Sequence, residues 1–263
     1  MAKNACATVV KNGGVRFAEW LAFHLAIGMD SILVLDNGST DNTIDVVRAF
    51  QPKFDVRISD WPRTDPGYQR AGFDHLLRGA RSEFEWVACI DSDEFIVLPP
   101  DQPLHKLLDL PQDVAAIAMP WAIFGSSGHE RKPKDLIIRS YQRRAPESFD
   151  INRHIKSIVR PSHYSACENV HYFSVTGSYV DMLHRFIDGN TAVVNDAPDY
   201  SGGQLNHYFV QSKEDWSEKI KRGYHDCTRT FDEFYYYDRN DVFDDKAAAQ
   251  ADKVVDILNS ITI

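Results

Sequence analysis

The sequence predicts an α/β protein built on an open, mostly parallel sheet, and three observations carry that expectation. Short apolar runs alternate with stretches of helical periodicity from residue 5 to residue 91. Two of those runs end abruptly in carboxylates, at Asp36 and Asp91. Compact turn sequences join the pieces, without internal repeats or low-complexity linkers.

Residues 5–10 read as the first strand. Ala18, Leu21, Ala22 and Leu25 follow at helical spacing, and Trp20, Phe23 and Ile27 widen the apolar face, so this helix should be largely buried. Residues 31–36 form a second strand. Asn37, Gly38, Ser39, Thr40 and Asp41 then supply a tight loop and a helix cap before an amphipathic helix over 42–50. A strand over 54–59, a helix over 68–81 and a strand over 86–91 complete the alternation. Residues 60–67 contain two prolines that resist regular structure, and this loop is expected to rim a ligand pocket.

The strongest chemical signal is the run from Trp86 to Phe95, where an apolar strand ends in Asp91, Ser92, Asp93 and Glu94. On a strictly extended chain Asp91 and Asp93 point the same way and Ser92 the other. Hard oxygen ligands of this kind suit Mg²⁺ or Mn²⁺, whose shell substrate phosphates and water complete. An isolated Asp-Ser-Asp is more often a solvated turn. Here Phe95, Ile96, Val97 and Leu98 resume the apolar pattern, so the carboxylates interrupt a core element. Open α/β sheets bind ligands beyond the carboxyl ends of their strands, which puts Asp36 and Asp91 on one rim. Asp36 could accept from a base or ribose, whereas Asp41 reads as a cap and Glu94 as a support for the acidic loop.

After Pro99 and Pro100 the pattern becomes mixed. Residues 114–121 read as a strand leading into a glycine-rich loop over 124–130, which lets backbone approach a ligand closely. Arg153, Lys156 and Arg160 flank another strand over 157–159 and could offset diphosphate charge. His207 lies just before Ser212, which caps a helix ending at Gly223. His171 and His184 compete with it for any ligand role. Residues 232–245 hold six acids against Arg239 and read as a solvated face.

With 263 residues, 43% of them hydrophobic, the chain can bury a substantial core. Its 29 basic and 38 acidic residues leave a net charge of −9, which argues against a nucleic-acid partner. No stretch approaches the roughly 20 apolar residues of a membrane span, and the N-terminus lacks a signal peptide's apolar segment. A soluble, cytoplasmic protein is expected, with peripheral membrane contact left open. Cys6, Cys89, Cys167 and Cys227 are scattered, which favours reduced thiols over disulfides or a zinc site.

Val10-Lys11-Asn12, Glu19 through His24, Gly28, Asp36 through Asp41 and Trp86 through Phe95 together resemble family 2-like glycosyltransferases of the GT-A fold. The branch is the one with an Asp-x-Asp-Glu-Phe signature, which also resembles the family 92 galactosyltransferases. Trp121 through His129, Lys156 through Pro161 and Asn206 through Ser212 continue the match in order. The resemblance implies a GT-A domain over 1–225, with a nucleotide-binding half over 1–98 and an acceptor half over 99–225, followed by an acidic, aromatic-rich segment and C-terminal helix over 226–263. It further implies a hexosyltransferase that moves a sugar from a nucleotide-sugar, a UDP-sugar first, to a saccharide or glycoconjugate acceptor, in surface polysaccharide or glycoconjugate synthesis. Mn²⁺ or Mg²⁺ would sit on Asp91, Asp93 and His207. Lys11, Asn12, Asp36, Asn37, Asp91, Ser92 and Lys156 would hold the donor. Asp93 would be central to catalysis, with Glu130 or His129 as base if transfer inverts the anomeric centre. Two departures stand out: Gly13 replaces an acid common in relatives, and Asn37 replaces a second aspartate. A non-catalytic sugar-binding module and a sugar nucleotidyltransferase remain the rival readings.

Overall fold

The computed structural model describes residues 3–187, 191–194, 196–223 and 228–261. Cys227 lies outside them. The first strands and helices are β1 (Lys3–Val10), α1 (Arg16–Ala26), β2 (Ser31–Asp36), α2 (Thr43–Phe50), β3 (Asp55–Asp60), α3 (Tyr68–Ala80), β4 (Phe84–Cys89), β5 (Glu94–Val97) and, after a short helix, β6 (Val114–Ile123). β3, β2, β1 and β4 are parallel neighbours in that order. Val10, Asp36 and Asp60 stand abreast in the register, so the carboxyl ends of the strands share one rim as the sequence predicts.

Beyond β4 the sheet turns mixed. The strand Ile155–Val159 runs antiparallel between β4 and β6. β6 is long enough to belong to two places: its first part pairs with Ile155–Val159, and its end, from Trp121 to Ile123, runs parallel to the strand Gln204–His207. That strand in turn lies antiparallel to β5, which sets His207 opposite Glu94.

Both faces of the sheet are covered. Cys6, Trp86, Ala88 and Ile90 join the core beneath α1, while Ala5, Ala7, Val87 and Cys89 face α3. This explains why β1 and β4 read as continuous apolar runs rather than alternating ones. In α1 every residue from Phe17 to His24 is buried. His24 fits there because its ring is satisfied in the neutral form: Nδ1 lies 2.8 Å from Trp20 O, and Nε2 accepts from Ile96 N at 3.5 Å.

The strand expected over 86–91 begins and ends two residues earlier. Asp91 O accepts from Glu94 N at 3.1 Å, which closes a turn over residues 91–94. Asp91 and Asp93 are therefore presented by a turn between β4 and β5, not by alternation along an extended strand. The acidic 232–245 run also departs from a solvated face. Asp244 is buried and pairs with Arg144 at 2.8 Å, while Asp238 and Asn240 accept from the backbone of Ser126 and Ser127 at 2.6 and 2.8 Å. Gly125 is required for that clamp, since a Cβ there would meet Arg239 O at 2.4 Å. Further on, Ala251 and Val254 of the helix Ala251–Ser260 join the main core.

Candidate functional site

The acidic turn is held from below by aromatic and carboxylate groups. The indole Nε1 of Trp20 donates to Asp91 O at 3.1 Å and to Glu94 O at 2.8 Å. Glu94 itself is fully buried. Its two oxygens accept from Asp91 N and from the indole of Trp121, each at 2.6 Å. Burial pushes its carboxyl well above the usual range, with Lys156 opposing and Asp91 reinforcing the shift. Glu94 thus braces the turn, in keeping with the supporting role read from the sequence.

Asp91 and Asp93 open into one cleft of about 540 Å³ at the carboxyl rim of β1 and β4. Asp91 accepts from Gln69 Nε2 and pairs with Lys156 Nζ at 3.0 Å. Lys156 is almost completely buried; its burial opposes a charge, but Asp91 and Glu94 outweigh that and raise its pKa. Asp93 Oδ2 lies 2.7 Å from Lys219 Nζ, and Oδ1 lies 3.5 Å from His207 Nε2. Burial would raise the Asp93 carboxyl, yet Lys219 and His207 hold it well below the ordinary aspartate range. Its backbone O accepts from Tyr208 N at 2.9 Å, tying the turn directly to the chain just after His207.

The Asp93 and His207 atoms fit a divalent cation. Two ligands on one ion at about 2.1 Å each lie a little over 3 Å apart, close to the observed 3.5 Å. An oxygen with an imidazole nitrogen suits Mn²⁺. His207 Nδ1 is also buried without a hydrogen-bond partner. Among the described residues no three His, Cys, Asp or Glu side chains converge as a ready-made cage, so the remaining ligand positions would fall to substrate and water.

Lys11, Arg70, Lys156, Lys219 and Arg229 line the cleft together with Asp91 and Asp93. Ser92, Trp121 and His171 complete its walls, along with Pro66, Tyr68 and Gln69 from the loop and helix start after β3. The ring of His171 has Nδ1 at 2.9 Å from Ile155 O, and burial, then the nearby Lys156, lowers its pKa to about 4. A neighbouring cavity of about 470 Å³ shares Lys11, Ser92, Asp93, Phe209 and Lys219 and adds Asn12, Arg16, Gln211 and Glu218.

Several predicted residues fall elsewhere. Asp36 is buried at the rim, with Oδ2 accepting from Gly38 N and Ser39 N at 3.1 and 3.0 Å. Its Oδ1 and the Nδ2 of Asn37 are buried without partners. Asn12, in a left-handed conformation at φ 54°, joins the loops after β1 and β2 through Thr40 N at 2.8 Å. Asp41 is not the N-cap expected: that position is Asn42, whose side chain makes no capping bond, and Asp41, one residue earlier, accepts from Thr43 N at 3.0 Å. His129 and Glu130 do not line either cavity. The His129 ring lies 3.0 Å from Ser140 O, and Glu130 is a largely exposed partner of Lys213. His184 instead meets Leu107 O at 3.1 Å. Arg160 is buried over Trp86 and bound to Glu85, and Arg153 donates to Val194 O, so neither serves the cleft.

Gln69, Arg70, Lys219 and Arg229 were not singled out in the sequence. Lys219 comes from the helix Lys213–Arg222, which begins at a capping box of Ser212 and Asp215. The cap was legible, but not which face of the helix meets Asp93.

Residues 9–244 match the family model described as Glycosyltransferase family 92. A family 92 protein of Ricinus communis is 29% identical over 224 residues, covering 82% of this chain and 37% of that protein. One of Oryza sativa subsp. japonica is 33% identical over 220 residues, covering 81% and 34%. The chain thus spans about a third of the length of the curated relatives it matches. Among solved structures, S. aureus TarS 1-349 in complex with UDP-GlcNAc is similar at 14% identity and a TM-score of 0.46, over 98% of this chain and 72% of that one. Glucosyl-3-phosphoglycerate synthase from Mycobacterium tuberculosis in complex with phosphoglyceric acid is similar at 19% identity and a TM-score of 0.32, over 46% and 44%. Likenesses this distant say nothing of the chemistry at the site.

Proposed function

The chain belongs to glycosyltransferase family 92, and from that premise we propose that it moves a sugar from a nucleotide-sugar, a UDP-sugar first, to a hydroxyl of a saccharide or glycoconjugate acceptor. The observation that carries this reading is the cation-rich cleft whose floor is Asp91, Ser92 and Asp93. Arg70, Lys11 and Arg229 line the cleft, with the Asp91-paired Lys156 beside them, and would bring positive charge near a diphosphate.

Mn²⁺ or Mg²⁺ would be held by Asp93 and His207, with Asp91 beside them. Bound there, the ion supplies positive charge to the departing nucleoside diphosphate. The protein's own part is to fix the turn through Glu94 and Trp20, to hold Asp91 against Lys156, and to orient the diphosphate. A setting in polysaccharide or glycoconjugate synthesis follows from the family reading alone.

The test is a product assay on the purified chain with UDP- and GDP-sugars, a saccharide acceptor panel and Mn²⁺. Release of a nucleoside diphosphate together with a glycosylated acceptor supports the proposal. Pyrophosphate release would point to a nucleotidyltransferase, and donor binding without turnover to a sugar-nucleotide-binding module.

A further inference from the structure

We infer that Lys219 is the resident counter-ion of Asp93 and competes with the divalent cation for it, so that the cleft exchanges an ammonium for a metal ion when the metal binds. This inference rests on the metal-dependent reading above. Lys219 Nζ is 2.7 Å from Asp93 Oδ2, donates to Phe209 O at 2.6 Å, and sits 4.7 Å from the centre of the Phe209 ring. Its side chain is only 14% exposed, so this is a seated ammonium and not a surface lysine passing by. The helix carrying it is anchored by its capping box.

His207 Nε2 stands at the other oxygen of the same carboxylate. A doubly charged ion shared by Asp93 Oδ1 and His207 Nε2 would lie within a few ångströms of the Lys219 ammonium. Like charges that close in a partly buried cleft repel strongly, because little water screens them. The ion and the ammonium therefore cannot both hold Asp93 at full strength. Lys156 does not relieve the conflict, being committed to Asp91 at 3.0 Å.

A second observation concerns space. Asp93 and Lys219 line both the 540 Å³ cleft and the neighbouring 470 Å³ cavity, so their ion pair stands on the partition between them. Withdrawal of Lys219 would both clear Asp93 and widen the passage between the two. Without metal, Lys219 supplies the positive charge nearest Asp93; with metal, the ion does.

The experiment uses the full chain, Mn²⁺ followed by the electron paramagnetic resonance signal of the free ion, and UDP followed by calorimetry in EDTA or in Mn²⁺. Lys219→Gln removes the charge but keeps a donor for Phe209 O, and Lys219→Arg keeps the charge. Without nucleotide, Lys219→Gln should bind Mn²⁺ about tenfold more tightly than the natural chain. Its UDP affinity in EDTA should fall about tenfold and recover in Mn²⁺. Lys219→Arg should track the natural chain. Equal Mn²⁺ affinity in all three proteins overturns the competition while leaving the metal site intact. Absence of Mn²⁺ binding by all three, even with UDP, overturns the metal reading itself. Should Lys219→Gln fail to fold by circular dichroism, acetylation of Lys219 in the natural chain decides: Mn²⁺ alone should raise its reactivity, and no change overturns the inference.

Discussion

The indole of Trp121 donates to Glu94 at 2.6 Å, and through Glu94 a residue at the end of β6 sets the position of the acidic turn. His207 also packs at a tilt against Trp121, with ring centres 4.5 Å apart. One aromatic ring therefore touches both supports of Asp93, the turn and the histidine.

Removing Glu94 should cost both stability and function. Glu94→Ala leaves Asp91 N and the Trp121 indole without acceptors in a buried place, a loss on the order of 2–4 kcal/mol. Urea unfolding should show that loss, and product formation should fall with it. Unaltered stability would mean that water replaces the carboxylate.

At Asp93 the expected outcome is different. Asp93→Ala should abolish transfer, by at least about a hundredfold, while circular dichroism remains that of the folded chain. Metal-dependent turnover by a well-folded Asp93→Ala protein would refute the proposed role.

The two cleft histidines separate by geometry. His207 Nε2 faces Asp93, whereas His171 is tied to Ile155 O through Nδ1. Calorimetry of UDP in Mn²⁺ should therefore show a larger loss for His207→Ala than for His171→Ala, on the order of tenfold. The reverse order would move the ligand to His171.

His24 predicts acid sensitivity. Burial lowers its pKa from 6.5 to about 3, with the bond to Trp20 O opposing. Between those values the unfolded chain binds a proton that the folded chain does not, so stability is lost as pH falls below 6.5. The full effect by pH 3 is on the order of 5 kcal/mol. Urea unfolding at pH 7 and pH 4 should show a shallower drop for His24→Gln than for the natural chain; parallel curves would remove His24 as the cause.

A fifth expectation concerns Gly125. Gly125→Ala places a methyl against Arg239 O and Asn240 Oδ1, and should destabilise the chain by about 1–3 kcal/mol. Thermal unfolding measures it directly. A neutral result would mean that the 238–240 segment can yield without loss.

Most of the fold from β1 to β4 was legible because its signals are local. Helical spacing in α1 and the cap at Ser212 each sit within a few residues of what they specify. The acidic turn was legible in residues but not in shape, since Trp20, which helps fix it, is 71 positions away from Asp91. His207 could be named but not placed until its register opposite Glu94 was known. Lys219 gave no sign, because a charged residue on a polar helix looks the same whether it faces solvent or a cleft, and Arg229 lies outside any helix. Asp244 misled for the same reason: a run of acids conceals the one that is buried against Arg144.

The clamp of residues 238–244 on the loop at 125–127 and on Arg144 has a bearing on biosynthesis. On the ribosome, a nascent chain that has emerged only through Arg144 holds the strands β1 to β6 but an unsecured loop at 125–127. That loop settles only once segments more than a hundred positions downstream have been translated. Until then the loop's backbone amides and the Arg144 guanidinium await their partners, which makes this interval the one in which a chaperone would matter most.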